Sequence, residues 1–164
     1  MKKLYVMMGC PASGKSTWVK EMQKKQGGII VSRDEIRFKL INNTDEYFAK
    51  EAEVFREYIL SIQEALDSDP NAIVYADATH IYSMSRTKVL SQLDLTNVEL
   101  YAVTFKVDLL TVLKRNGLRT GRAHVPSKVV RRMYYSFESP INDKWKYKEI
   151  IEVGDDIHGN LANI

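Results

Sequence analysis

The sequence predicts an α/β protein built in three layers, a parallel five-stranded sheet with helices on both faces. Three observations carry this. Short apolar runs alternate with stretches of helical periodicity along the chain. The runs Leu4–Met8, Ile29–Val31 and Ala72–Ala76 contain no charged residue, as expected of strands buried on both faces. Finally, Gly9-Cys10-Pro11-Ala12-Ser13-Gly14-Lys15-Ser16 joins the first run directly to a helical stretch.

Bulk properties set the frame. The chain has 164 residues, and this length predicts a single domain spanning 1–164. Hydrophobic content of 45% and charged content of 27% are those of an ordinary globular protein. A net charge of +3 and a pI of about 8.9 are mildly basic, compatible with a polyanionic partner without requiring one. Cys10 is the one cysteine, so no internal disulfide can form, and a cytoplasmic location is expected. Met1-Lys2-Lys3 and the following apolar run imitate a signal peptide, but the run is too short and leads straight into the glycine-rich stretch. No stretch approaches the length of a membrane span, so no membrane partner is expected.

The elements follow in order. The first strand is Leu4–Met8, and a helix runs from near Gly14 to about Gly27. Gly27-Gly28 ends it, and Ile29–Val31 is the second strand. Ser32 is an N-cap, with Asp34 and Glu35 in the first turn of the next helix. Asn42-Asn43-Thr44-Asp45 breaks that helix. A longer one is expected from about Glu46 to Leu66, with Phe48, Ala52, Phe55, Ile59, Ile62 and Leu66 on its packed face. Asp67–Asn71 forms a turn, and Ala72–Ala76 is the third strand, ending on Asp77. A helix is expected from about Ser83 to Leu95-Thr96, then a fourth strand over Val98–Phe105. Asp108 caps a helix over Leu109–Asn116. Gly117–His124 is a basic, glycine-broken loop; Pro126 opens a helix to about Phe137, which Ser139-Pro140 stops. Glu149–Val153 is the last strand, before a polar tail expected to fray.

The stretch Gly9–Ser16 fits G-x-x-x-x-G-K-[ST], the phosphate-binding loop of nucleoside-triphosphate enzymes, and strand, loop and helix come in the required order. Gly9 and Gly14 let the backbone close tightly, so the amides of Pro11's successors Ala12, Ser13 and Gly14 and of the helix start through Thr17 point at phosphate. Lys15 supplies a charge for the β- and γ-phosphates, and the Ser16 hydroxyl suits Mg²⁺. ATP and Mg²⁺ are therefore the expected cofactors of a P-loop NTPase fold.

Ligands of parallel sheets bind at the carboxyl ends of the strands, and this rule selects the remaining candidates. Asp34, just past the second strand, can take a proton from an attacking hydroxyl; the plainer reading is a first-turn acid favouring the helix dipole. Arg37, on the same helix face, can hold an acceptor phosphate, or pair with Asp34 at i,i+3. Arg33 faces elsewhere and is weaker. Asp77, ending an apolar strand, is placed to hold Mg²⁺ directly or through water. Thr79 and His80 share that edge as acceptor contacts, His80 alternatively as a loop histidine. Arg115, Arg119 and Arg122 cluster around the basic loop. An arginine on such a lid (about 115–125) can close over a triphosphate; the plainer reading, a basic helix terminus, suits Arg115 better than Arg119 or Arg122. Lys128, Arg131 and Arg132 extend the basic character and can track a nucleic-acid backbone or form a solvated face.

Gly9–Trp18 closely resembles the phosphate loop of the 5′-hydroxyl polynucleotide kinases, especially the kinase domain of the bacteriophage kinase-phosphatase. Ser32-Arg33-Asp34-Glu35-Ile36-Arg37 is similar to that family's general-base segment, Asp77-Ala78-Thr79-His80 to its next strand-end motif, and Lys114-Arg115-Asn116 with Val125-Pro126 to its lid region. The resemblance spans Met1 to about Tyr135. It implies an adenylate-kinase-like fold, triphosphate and Mg²⁺ binding by Lys15 and Ser16, activation of a 5′-hydroxyl of RNA or DNA by Asp34, and an acceptor phosphate held by Arg37. It implies a lid arginine, Arg119 or Arg122, of which Arg119 is preferred. His80 stands where the family usually has Asn. The phosphatase domain has no counterpart, and no D-x-D-x-T motif occurs, so 3′-phosphatase activity is expected to be absent. The activity that the resemblance implies is thus ATP-dependent phosphorylation of nucleic-acid 5′-ends, in the setting of nucleic-acid repair. A kinase of a nucleoside, sugar or antibiotic, and an ATP-binding module without transfer, are the alternatives.

Overall fold

The structure, a computed structural model, describes residues 1–154. Five strands, β1 (Lys2–Met8), β2 (Ile29–Ser32), β3 (Ile73–Asp77), β4 (Val98–Phe105) and β5 (Glu149–Val153), form one sheet in the order β2-β3-β1-β4-β5. Every pairing is parallel. Six helices connect them: α1 (Lys15–Gln26), α2 (Arg33–Leu40), α3 (Glu51–Asp67), α4 (Ser83–Leu90), α5 (Leu109–Gly117) and α6 (Ser127–Tyr135). The expected three-layer α/β architecture is the observed one.

The layers follow from the alternation of side chains along β1. Leu4, Val6 and Met8 face a core shared with α3 and α4, through Tyr58, Ile62, Leu66, Val89 and Leu90. Tyr5 and Met7 face the other way, onto Trp18, Val19 and Met22 of α1. On that second face Tyr5 lies in register with Tyr75 and Tyr101 on the flanking strands, and its ring stacks on both, at centroid distances of 5.3 and 4.6 Å. A third cluster, including Cys10, Ala12, Val107, Val112 and Val130, packs α5 and α6 onto the glycine-rich loop.

Element boundaries depart from the periodicity in three places. The chain from Glu46 to Lys50 forms turns, and α3 starts at Glu51. Phe48, expected on the packed face, is 65% exposed, and Ala52 is exposed as well; Val54 and Tyr58 are buried instead, beside Ile59, Ile62 and Leu66 as expected. α4 stops at Leu90, and turns carry the chain to β4. α6 begins after Pro126, which is its N-cap, and stops at Tyr135. The N-caps at Ser32 and Asp108 form as expected, accepting from the amides of Glu35 and Thr111. The tail expected to fray lies, beyond Gly154, outside the described residues.

A buried ion pair fixes the chain after α6. Arg86 of α4, fully buried, holds Asp143 with two bonds, Nε to Oδ2 at 2.6 Å and Nη2 to Oδ1 at 2.8 Å. It also donates to the carbonyls of His80, Ile81 and Glu138. One side chain thereby ties the end of the β3 loop to the segment leading into β5.

Candidate active site

The glycine-rich loop connects the carboxyl end of the central strand β1 to α1. Two backbone features make the turn. Gly14 adopts φ 101° and Ala12 φ 64°, both left-handed. At Gly9 a Cβ would stand 2.7 Å from Ser13 Oγ, so a larger residue would push that side chain from its place. The Gly9 amide donates to the carbonyl of Thr79 at 2.8 Å, locking the loop to the end of β3.

Lys15 is buried and curls back over the loop, donating to the carbonyls of Gly9 at 2.9 Å and Cys10 at 2.8 Å. Burial pushes its ammonium below the ordinary value, against the attraction of Asp77. Ser13 Oγ is buried without a hydrogen-bond partner. Ser16 and Thr17 are exposed at the first turn of α1. Ser16 Oγ donates to Asp77 Oδ2 at 3.1 Å, so the hydroxyl of the loop and the acid of β3 meet. Burial pushes the Asp77 carboxyl up, opposed by Lys15 and the Ser16 bond. Pro11 lies half-buried in the loop between Cys10 and Ala12.

On the β2 side of the loop stands a network of side chains. Asp34 is exposed, and near enough to Lys15 and Asp77 to act on both electrostatically. Its Oδ1 accepts from the Tyr47 hydroxyl at 2.6 Å and from Arg37 Nη1. The i,i+3 pair of Asp34 and Arg37 is therefore formed. Arg37 is buried, and its remaining donors go to Tyr47 Oη at 2.8 Å and to both Glu51 oxygens at 3.0–3.3 Å. Arg33 also donates to Glu51, with its guanidinium over the Phe55 ring at 5.4 Å. One carboxylate thus holds two arginines. Tyr47, Glu51 and this use of Arg33 carried no local signal, because they meet only when α2 and α3 pack.

The β3 end is divided. Thr79 is half-buried beside the loop. His80, expected among the acceptor contacts, points into the core. It is 3% exposed at φ 42°, with Nδ1 donating to Met7 O at 2.7 Å and Nε2 3.4 Å from Tyr58 Oη. Burial lowers its pKa to about 4, so the ring is neutral. The structure corrects that expectation: both nitrogens face protein groups rather than the site surface.

In the basic loop Arg119 is exposed, with Nη1 donating to Ala123 O at 3.3 Å; burial pushes the Cys10 thiol up and the Lys15 ammonium down, and the Arg119 charge reaches both groups as a minor contribution. Arg122 turns the other way, donating to Asn43 Oδ1 at 2.7 Å with its guanidinium 5.5 Å from the Phe38 ring. On the β4 side, opposite Asp34, a cavity of about 810 Å³ opens beside the loop; Phe105, Val107, Met133 and Tyr134 line it with Gly9 and Ser13.

Among the described residues no cluster of three or more His, Cys, Asp or Glu could hold a metal alone. Ser16 and Asp77 fit Mg²⁺ as a pair, since that ion binds few protein oxygens and completes its shell with water and phosphate. No helix among the described residues is long and apolar enough to cross a membrane.

A family model described as an AAA domain matches residues 4–140. The L-seryl-tRNA(Sec) kinase of Methanococcus maripaludis is 29% identical over 144 residues, 84% of this chain. The chain spans about half, 53%, of that relative's length. Among solved structures, a sugar kinase from Janibacter sp. HTCC2649 superposes with a TM-score of 0.68 at 15% identity, covering 99% of this chain and 92% of its own. The Pnkp1/Rnl/Hen1 RNA repair complex contains a chain with TM-score 0.68 at 20% identity, covering 82% of this chain and 43% of its own. At such identities these structures share the fold.

Proposed function

The chain belongs to the AAA domain family AAA_33, and from that premise we propose that it is a P-loop kinase acting on the 5′-hydroxyl end of RNA or DNA. The observation that carries the reading is Asp34, an exposed carboxylate close enough to Lys15 and Asp77 to act on both electrostatically. The donor triphosphate sits on the loop amides, with Ser13 Oγ and the Lys15 ammonium turned from their present surroundings onto its oxygens. Its base occupies the cavity on the β4 side. Asp34 lies on the acceptor side.

In the transfer, the acceptor hydroxyl oxygen bonds to the γ-phosphorus, the bond from phosphorus to the β,γ-bridging oxygen breaks, and ADP leaves. The hydroxyl proton passes to an Asp34 oxygen. Tyr47 and Arg37 fix that carboxylate, and Thr79 lines the acceptor's path; Arg37, expected to hold an acceptor phosphate, is buried with its donors on Asp34, Tyr47 and Glu51 and serves to position the base instead. Ser16 and Asp77 would hold Mg²⁺, which neutralises phosphate charge when bound. Arg119, on the loop side, supplies the lid charge, and Arg122 ties that lid to the acceptor side.

The likeness to a seryl-tRNA kinase favours a second reading, in which the accepting hydroxyl belongs to a serine carried on tRNA. Neighbours in fold act on sugars as well, as the sugar kinase name states. Transfer from γ-labelled ATP to a 5′-hydroxyl oligonucleotide, seryl-tRNA and a set of sugars and nucleosides separates the readings. Preferred labelling of the oligonucleotide supports the polynucleotide kinase; labelling of seryl-tRNA alone, or of a small acceptor alone, overturns it.

A further inference from the structure

Phe48 is a large apolar side chain that folding does not use. Helical periodicity assigns it to the packed face of α3, yet it stands in the turn before that helix, 65% exposed. Its surroundings are not those of a stray surface residue. Its ring meets that of Tyr47 edge-on at 4.7 Å, and Tyr47 meets Phe38 at 6.3 Å. The Arg37 guanidinium lies 5.8 Å from the Phe48 ring and 4.4 Å from that of Tyr47. Arg122 approaches Phe38 from the basic loop.

The Tyr47 hydroxyl at the inner end of this group is bonded to Asp34 at 2.6 Å. Phe48 is therefore separated from the candidate base by about the length of one tyrosine side chain. In a nucleoside the hydroxyl at C5′ and the base plane lie at opposite ends of one sugar. A terminal hydroxyl on Asp34 thus carries its base outward, along Tyr47 towards the exposed ring. Aromatic rings bind bases through their faces without reading sequence, and the neighbouring Arg37 guanidinium holds the Tyr47 and Phe48 rings in place.

We propose that Phe48, seated on Tyr47, is the stacking platform for the terminal nucleobase of the acceptor. The proposal rests on the polynucleotide reading and names the residue that makes the acceptor's first base a determinant of binding.

The test compares wild type, Phe48→Ala and Phe48→Trp with two oligonucleotides, one ending in an ordinary 5′-hydroxyl nucleoside and one whose terminal residue lacks its base. Phe48→Ala is expected to raise KM for the ordinary acceptor by about ten-fold or more, with kcat kept within about two-fold. Wild type is expected to show the same high KM for the baseless acceptor, where Phe48→Ala changes nothing further. Phe48→Trp retains the low KM. Thermal melting of Phe48→Ala is expected to match wild type, because the ring is exposed. Equal KM of wild type for both acceptors, or an equal shift of both in Phe48→Ala, overturns the platform. Absence of transfer by wild type to either oligonucleotide overturns instead the reading beneath it.

Discussion

Ser16 Oγ and Asp77 Oδ2 stand 3.1 Å apart, one from the phosphate loop and one from the end of the neighbouring strand. Sixty-one positions separate them in the chain, and the parallel pairing of β1 with β3 brings them together. Their meeting gives the first prediction. Asp77→Asn is expected to lower phosphate transfer by about a hundred-fold and to raise the Mg²⁺ concentration needed for half-maximal rate. Titration of initial rate against Mg²⁺ checks it; an unchanged Mg²⁺ requirement counts against the pair as the metal's seat. The variant should fold, because it removes a charge that burial already disfavours.

His80 predicts a pH dependence of stability. Its folded pKa is about 4, depressed by burial, against 6.5 for the free group. Between these values the unfolded chain binds more protons, so stability rises with pH across that window. The contribution is fully present above 6.5 and is lost as pH falls towards 4, about 3 kcal/mol in all. Urea melts of wild type and His80→Gln from pH 4 to 7 should show a shallower slope in the variant. Identical slopes would mean that the ring is charged or exposed in the folded state.

Arg86 and Asp143 predict an asymmetry. Removing one partner leaves a buried charge uncompensated, so Asp143→Ala is expected to lose about 3–5 kcal/mol. A double replacement, Arg86→Met with Asp143→Leu, should recover part of that loss. Denaturant titration measures both. An Asp143→Ala variant as stable as wild type would contradict the assignment of Arg86 as the tie holding the segment before β5.

Tyr47 predicts a split between rate and stability. Tyr47→Phe removes the bond to Asp34 and the one accepted from Arg37, and keeps the ring over Arg37. Transfer is expected to slow by about five- to ten-fold, with stability changed by about 1 kcal/mol or less. Unchanged kcat in single-turnover measurements would show that Tyr47 does not position the carboxylate.

The middle of the sheet was legible in the chain because β1 and β3 are short apolar runs, and burial on both faces leaves such runs no polar alternation to confuse the reading. Lys15 and Ser16 were legible from the spacing of the glycine-rich loop, and Asp77 because a parallel sheet gathers its strand ends on one edge, where it meets Ser16. Helix starts were less legible. The apolar spacing through Phe48 continues smoothly into α3, but the turns at 46–50 take Phe48 out of the helix, where packing could not have been foreseen from spacing. Glu51 is the clearest omission. The helix expected from Glu46 gives it no special place, and only the contact of α2 with α3 sets it between Arg33 and Arg37. His80 was misplaced because the left-handed backbone at that residue turns its side chain inward. The Arg86–Asp143 pair, 57 positions apart, left no local trace.

Asp34 carries the account, and the most direct measurement of it is transfer of phosphate from γ-labelled ATP to a 5′-hydroxyl oligonucleotide by wild type, Lys15→Ala and Asp34→Ala side by side. The account predicts labelling by wild type and a loss of about a hundred-fold or more in each variant, with ATP binding retained in Asp34→Ala. Labelling that survives Asp34→Ala would contradict the role of this carboxylate as the base.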